Sequence, residues 1–205
     1  MNKTALTFLL AAFTPGAFAA SNTDLNVTGA ITPSSCTPML SNGGVIDHGK
    51  MTARDLQPTK PTQLDPAEMR LEVQCEGETF FTLSTVDNRA GSSAINPAHH
   101  GLGTTPEDQK LGSVAFSLFD PVADGNAVNV IISRNGGASW SLSPYLGHKA
   151  LTSFAAVGAP PHTPIALKKL SVRFRAFTII VQSTDLTLLD EVPIDGQATL
   201  QLKYL

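Results

Sequence analysis

Charge is what this sequence has least of. Asp, Glu, Lys and Arg supply 15% of its 205 residues, against roughly 25% in ordinary soluble domains, which argues against a disordered chain held open by like charges. There is no basic excess either: 14 Lys and Arg against 17 Asp and Glu leave a formal charge of -3. A nucleic-acid partner, which needs a clustered positive surface to neutralise phosphates, is therefore not expected. Long apolar runs are missing as well. The longest beyond the N-terminus, Phe177 to Val181, is broken by Thr178 and suits a strand better than a spanning helix of roughly 20 residues. The sequence contains no Gly-x-Ser-x-Gly, His-Glu-x-x-His or Gly-x-x-x-x-Gly-Lys, so no nucleophile elbow, zinc-protease helix or phosphate loop is expected. The expectation is a non-enzymatic chain with no cofactor. No repeat at a solenoid period is present.

The N-terminus stands apart from the rest. Lys3 gives a short positive start, Ala5 to Phe13 an apolar stretch, and Ala17-Phe18-Ala19 a small-x-small cleavage site, the three parts of a signal peptide over residues 1–19. The apolar stretch is too short to span a bilayer, and Thr14-Pro15-Gly16 interrupts it. Cleavage after Ala19 leaves 186 residues (205 minus 19), with 13 basic against 17 acidic groups and a charge of -4. The mature chain is expected to be exported, with no membrane insertion after signal cleavage.

Cys36 and Cys75 are the only two cysteines. Export puts them in an oxidising compartment, where such a pair closes, so one disulfide is predicted. The remaining polarity is carried by 37 Ser and Thr, 16 Gly and 14 Pro. Between these punctuating residues run short alternating apolar segments, with no 3.6-residue stripe longer than two turns. Leu25, Val27, Gly29 and Ile31 alternate with Asn26, Thr28 and Ala30, and Met69, Leu71, Val73 and Cys75 with Arg70, Glu72 and Gln74. Val45 to Met51, Phe80 to Val86, Ser113 to Phe119, Val128 to Ser133 and Ser139 to Leu142 read as further strands. Residues 87–112 read as a long loop and a candidate interaction surface. Leu151 to Pro164, rich in Pro, reads as irregular. Val172, Phe174 and Ala176 alternate with Arg173 and Arg175, with a bulge or bend expected near Ala176-Phe177. The alternation of Ala198, Leu200, Leu202 and Tyr204 continues almost to Leu205, as if this edge is held by something. The fold class is all-β: a single immunoglobulin-like sandwich of eight or nine strands.

In order along the chain stand a signal peptide, the segment Gly29-Ala30-Ile31-Thr32-Pro33-Ser34-Ser35-Cys36, Val45 to Gly49, the alternating strand ending at Cys75, and the ending Ala198-Thr199-Leu200-Gln201-Leu202-Lys203-Tyr204. With these features the chain resembles the pilin-like subunits of the chaperone–usher pathway of Gram-negative bacteria. The resemblance covers most of the chain outside 87–112 and 134–165. It implies a sandwich lacking its last strand, completed by a periplasmic chaperone and then by the N-terminal extension of a neighbouring subunit, with an usher in the assembly and a surface fimbrium as destination. Carried onto this sequence, Ala198, Leu200, Leu202 and Tyr204 form the chaperone and donor-strand edge. Leu25 and Val27, in a short extension over residues 20–28, are the donor candidates, and 29–205 is the pilin-like domain. Two departures stand out: the extension is short, and Val192 occupies a position where family endings commonly carry Gly. The alternative is a self-complete, secreted sandwich that binds a glycan or protein receptor.

Other candidates for chemistry are weaker. His48 belongs to the Val45 to Met51 segment. His99 and His100 are adjacent, so on a strand they face opposite ways, and His148 and His162 are isolated; no metal site is expected. Asp185, Asp190, Glu191 and Asp195 suit solvated loop charge better than a hard cation. Lys168, Lys169, Arg173 and Arg175 make the one basic group. Trp140 and Tyr145 can stack on a sugar but read first as packing residues.

Overall fold

The structure, a computed structural model, describes residues 35–205 together with Asn26 and Thr28. The signal peptide, most of the 20–28 extension and the donor candidates Leu25 and Val27 lie outside the described residues, as does the strand expected over Leu25 to Ile31.

Twelve strands are present among the described residues. They are β1 (Cys36–Leu40), β2 (Thr62–Gln63), β3 (Ala67–Thr79), β4 (Phe81–Asp87), β5 (His100–Gly101), β6 (Gly112–Ala123), β7 (Asn126–Ser133), β8 (Ser141–Leu142), β9 (Tyr145–Leu146), β10 (Leu151–Ala156), β11 (Leu167–Ile180) and β12 (Ala198–Tyr204). The main path runs β1-β3-β11-β6-β7-β10-β4-β12, and every pairing along it is antiparallel. β6 and β7 pair only at the base of their hairpin, Val122 with Ala127 and Ala123 with Asn126. Above it β6 turns to β11 and β7 to β10, which splits the path into two layers of a sandwich. Among the described residues there is no α-helix, only two short 3-10 turns.

The alternation read from sequence is realised in the long strands. Met69, Leu71, Val73 and Cys75 of β3 are buried while Arg70, Glu72 and Gln74 are exposed. In β11, Leu170, Val172, Phe174, Ala176, Thr178 and Ile180 point inward. These side chains meet Phe81 and Leu83 of β4, Val130 of β7 and Phe154 of β10, with Phe81 and Phe154 packed edge to face at 6.3 Å. Gly112 is fixed by this close packing: a Cβ there would stand 2.0 Å from the carbonyl oxygen of Ile179.

Cys36 and Cys75 are directly opposed in the β1–β3 ladder and form the predicted disulfide, with an S–S distance of 2.03 Å. Cys75 is 1% exposed.

Three local readings change. Val45 to Met51 is not a strand. Asn42, Gly43, Gly44 and Gly49 all take positive φ, and Asp47 Oδ1 accepts the N–H of Gly49 at 2.7 Å, so the chain bends before a ladder can form. Leu151 to Pro164 is not wholly irregular, because it begins with β10. This strand lies between β7 and β4 with Thr152, Ser153, Phe154 and Ala155 all buried, and a strand covered on both faces carries no polar alternation to betray it. The bulge near Ala176-Phe177 is absent. The register shifts lie instead between Leu167 and Lys169 and between Ser171 and Arg173. At the first, the Asp124 carboxylate takes the N–H groups of Lys168 and Lys169 at 3.0 and 2.8 Å. At the second, Asp120 adopts φ 50 beside Pro121, which has no N–H for the ladder.

Replacing both cysteines with Ala removes a cross-link spanning 39 positions, for which loop-closure entropy gives a loss of about 4 kcal/mol; urea unfolding of the oxidised protein against the double variant measures it. Gly112→Ala is expected to destabilise by about 2 kcal/mol through overpacking against Ile179, read from the same unfolding curves.

Candidate functional site

β1 and β12 are the two ends of the strand order, and among the described residues no strand pairs with the outer side of either. β12 is held on its inner side by β4, in unbroken register from Ala198 opposite Asp87 to Tyr204 opposite Phe81. Ala198, Leu200 and Leu202 pack against the core, as their spacing predicts. Tyr204 is 44% exposed, but its hydroxyl oxygen accepts the N–H of Cys36 at 3.0 Å. The two end strands therefore touch at the disulfide.

Away from that contact a cavity of about 340 Å3 separates them. One bank carries Leu40 and the Val45-Ile46 segment, the other Ala198, Leu200 and Ile194, and the floor includes Met69, Phe116 and Phe174. Phe116 and Phe174 stack with centroids 5.1 Å apart. His48 closes one side, its Nε2 2.9 Å from Thr178 Oγ1. The sequence shows the 198–204 bank through its alternation. It does not show Leu102, Ile194 and Gly196, which reach the groove on loops.

Those loops are organised by residues 87–112. This segment is well built, with β5 pairing to β6 through His100–Val114 and Gly101–Ser113. Arg89 grips Asp195 with two hydrogen bonds, of 2.9 and 2.8 Å. Asp87 accepts the N–H groups of Arg89 and Gly101. A Cβ on Gly101 would stand 2.0 Å from Ser92 Oγ, so the loop folds tightly over itself there.

Beneath the loop lies His100, 1% exposed. Its Nε2 is 2.7 Å from Thr85 Oγ1, and its ring lies 4.7 Å from Phe116 and 5.0 Å from His148. Burial, and then the neighbouring His148, push its pKa down to about 4. His99 is lowered by the same two causes in the same order.

The remaining candidates are dispersed. Among the described residues no group of three or more His, Cys, Asp and Glu is placed to hold a metal ion. Of the late acidic residues, Asp195 pairs with Arg89 and Glu191 with Lys50. Arg173 pairs with Asp120 and lies 3.7 Å from Glu68, which also pairs with Arg175. Tyr145 donates its hydroxyl to Ala98 O at 2.7 Å, with Arg134 6.0 Å over its ring, so it serves as packing.

The fold and its edges thus define a disulfide-pinned β-sandwich with an apolar groove between its end strands. Compared with known proteins, residues 25–100 match a family model described as a protein of unknown function, DUF1120; the match includes both cysteines. The chain is 25% identical over 237 aligned residues to Protein GltF of Escherichia coli strain K12, covering 96% of this chain and 93% of that protein. It is 22% identical over 229 residues to the uncharacterized protein YhcF of the same organism, covering 94% of each.

The state of His100 gives a pH prediction. Its folded pKa, about 4, lies below the ordinary 6.5, so the unfolded chain binds the proton more readily. The stability tied to neutral His100 is complete above the ordinary pKa and is lost as pH falls from about 6.5 to 4, by about 3 kcal/mol in all. His100→Asn should flatten that part of the stability-against-pH curve in urea titrations.

Proposed function

We propose that this chain is a non-enzymatic, exported, pilin-like subunit or accessory of a bacterial surface fimbria, whose sandwich is completed by a strand from a partner. The observation that carries this reading is the apolar groove bounded by β1 and β12, the two ends of the strand order. An open sandwich edge is a template for aggregation unless another strand covers it. A donor with alternating apolar side chains supplies main-chain hydrogen bonds to the edge, while its side chains enter the groove. The partners in this reading are a periplasmic chaperone, an usher and neighbouring subunits. Ala198, Leu200, Leu202 and Tyr204 form the chaperone and donor-strand edge in this reading, with Ala198 and Leu200 lining the groove, and Leu25 and Val27 are the segment this chain offers to others.

The test is a thermal melt of the oxidised chain from residue 20, alone and with peptides spanning residues 20–33 or a chaperone-type strand. A donor bound only to the folded state adds about 2.7 kcal/mol at a hundredfold excess over Kd, a rise of roughly 5–10 °C in a domain of this size. Leu200→Lys, which puts a charge on the groove bank, should abolish the rise. A cooperative melt indifferent to every peptide would overturn strand complementation and favour a self-complete module for a glycan or protein receptor.

A further inference from the structure

A second and larger cleft, of about 720 Å3, opens away from the groove. Its floor is the outer face of β4 and β12, with Ser84, Val86, Gln201 and Lys203. The 87–112 segment forms one wall, and the turn after β7 with the link from β9 to β10 forms the other. The walls are clamped together: Tyr145 donates to Ala98 O at 2.7 Å, and His148 Nε2 lies 3.2 Å from Pro97 O. The volume falls within the range of small-molecule sites, roughly 300–1,000 Å3.

The charge of the cleft is one-sided. Lys110, Arg134, Lys149 and Lys203 all line it and all are exposed. Its one carboxylate, Asp87, already accepts the N–H groups of Arg89 and Gly101, at 3.0 and 3.1 Å. None of the four cations enters any of the five ion pairs among the described residues. In a chain of net charge -3, four uncompensated cations around one concavity draw anions into it, because such a cleft focuses the field.

We propose that this cleft binds an acidic oligosaccharide, a polyhydroxyl chain bearing carboxylate or sulfate groups. Within the floor β4 is paired on both sides, to β10 and β12, so an extended peptide adds no strand there, and the one open edge, that of β12, is the edge given above to a donor strand. The only aromatic rings lining the cleft are the imidazoles of His99 and His148; no Phe, Tyr or Trp among the described residues offers nucleobases a broad stacking face there. Ser84 and Gln201 offer a hydroxyl and an amide beside the cations. At the rim a Cβ on Gly91 or Gly136 would meet nothing within 4 Å, so the main chain there is open to sugar hydroxyls.

The test is calorimetric titration of the oxidised chain, in about 0.15 M salt, with a heparin-derived hexasaccharide, an oligogalacturonate, maltohexaose and poly-glutamate. Binding of at least one acidic saccharide, and not of maltohexaose, is expected, and the two acidic arms separate sulfate from carboxylate recognition. Arg134→Gln with Lys149→Gln should weaken binding about a hundredfold, at roughly tenfold for each charged contact. Lys168→Gln with Lys169→Gln, outside the cleft, should leave it unchanged, and both double variants should keep the parent's melt. The proposal is overturned if neither acidic saccharide binds, if poly-glutamate binds as tightly, or if the two double variants lose affinity equally.

Discussion

The bond between Cys36 and Cys75 lies where three strands meet. β1 is only five residues long, and none of its side chains is fully buried, so it has little hydrophobic contact with which to hold itself. The cross-link fixes its register on β3 from Cys36–Cys75 to Leu40–Leu71. That register sets Leu40 on one bank of the groove, and the N–H of Cys36 meets the hydroxyl of Tyr204 at the end of β12. Both banks are thus positioned from one covalent point. Without it, β1 would have to find its place on a paired edge with few contacts to guide it.

How much of this was legible in the sequence follows from how each strand is covered. β3, β11 and β12 each have one face on the core and one toward solvent, so their two-residue period is written in the residues. β10 is covered on both faces and left no such period. Val45 and Ile46 read as the start of a strand because they are apolar and follow the Asn42-Gly43-Gly44 turn, yet the positive φ of Gly44 and Gly49 turns them away from any ladder. The irregularities along β11 are not written in its own residues, because the extra residues lie in its partners: Asp120-Pro121 of β6 opposite Val172, and residues 75–78 of β3 opposite Lys168. In the candidate site, Ala198, Leu200 and Leu202 were visible, while Leu102 and Ile194 were not, since the Arg89–Asp195 pair that holds their loops joins residues 106 positions apart.

Charges are few here, but their placement is orderly. Arg173 and Arg175 share Glu68 on the outer face of one layer, and Arg173 also pairs with Asp120, while Arg89 ties the 87–112 segment to the approach of β12. These pairs are partly exposed, and solvent screening leaves each a small part in stability. Their effect is geometric. Arg89 fixes where a loop stops, and thereby where the second bank of the groove begins.

The pairing of β12 with β4 also has a consequence in time. Thr82 and Lys203, partners in that ladder, stand 121 positions apart. During synthesis the β4 edge emerges early and must wait for the last residues of the chain before its ladder forms. Contacts between such distant segments form slowly, because the intervening chain must first surrender its freedom. For that interval a strand rich in apolar residues, Phe81 and Leu83 among them, is uncovered and adhesive. An edge whose partner lies so far along the chain stays open longer than one closed by a local hairpin, and an open apolar edge is prone to aggregation.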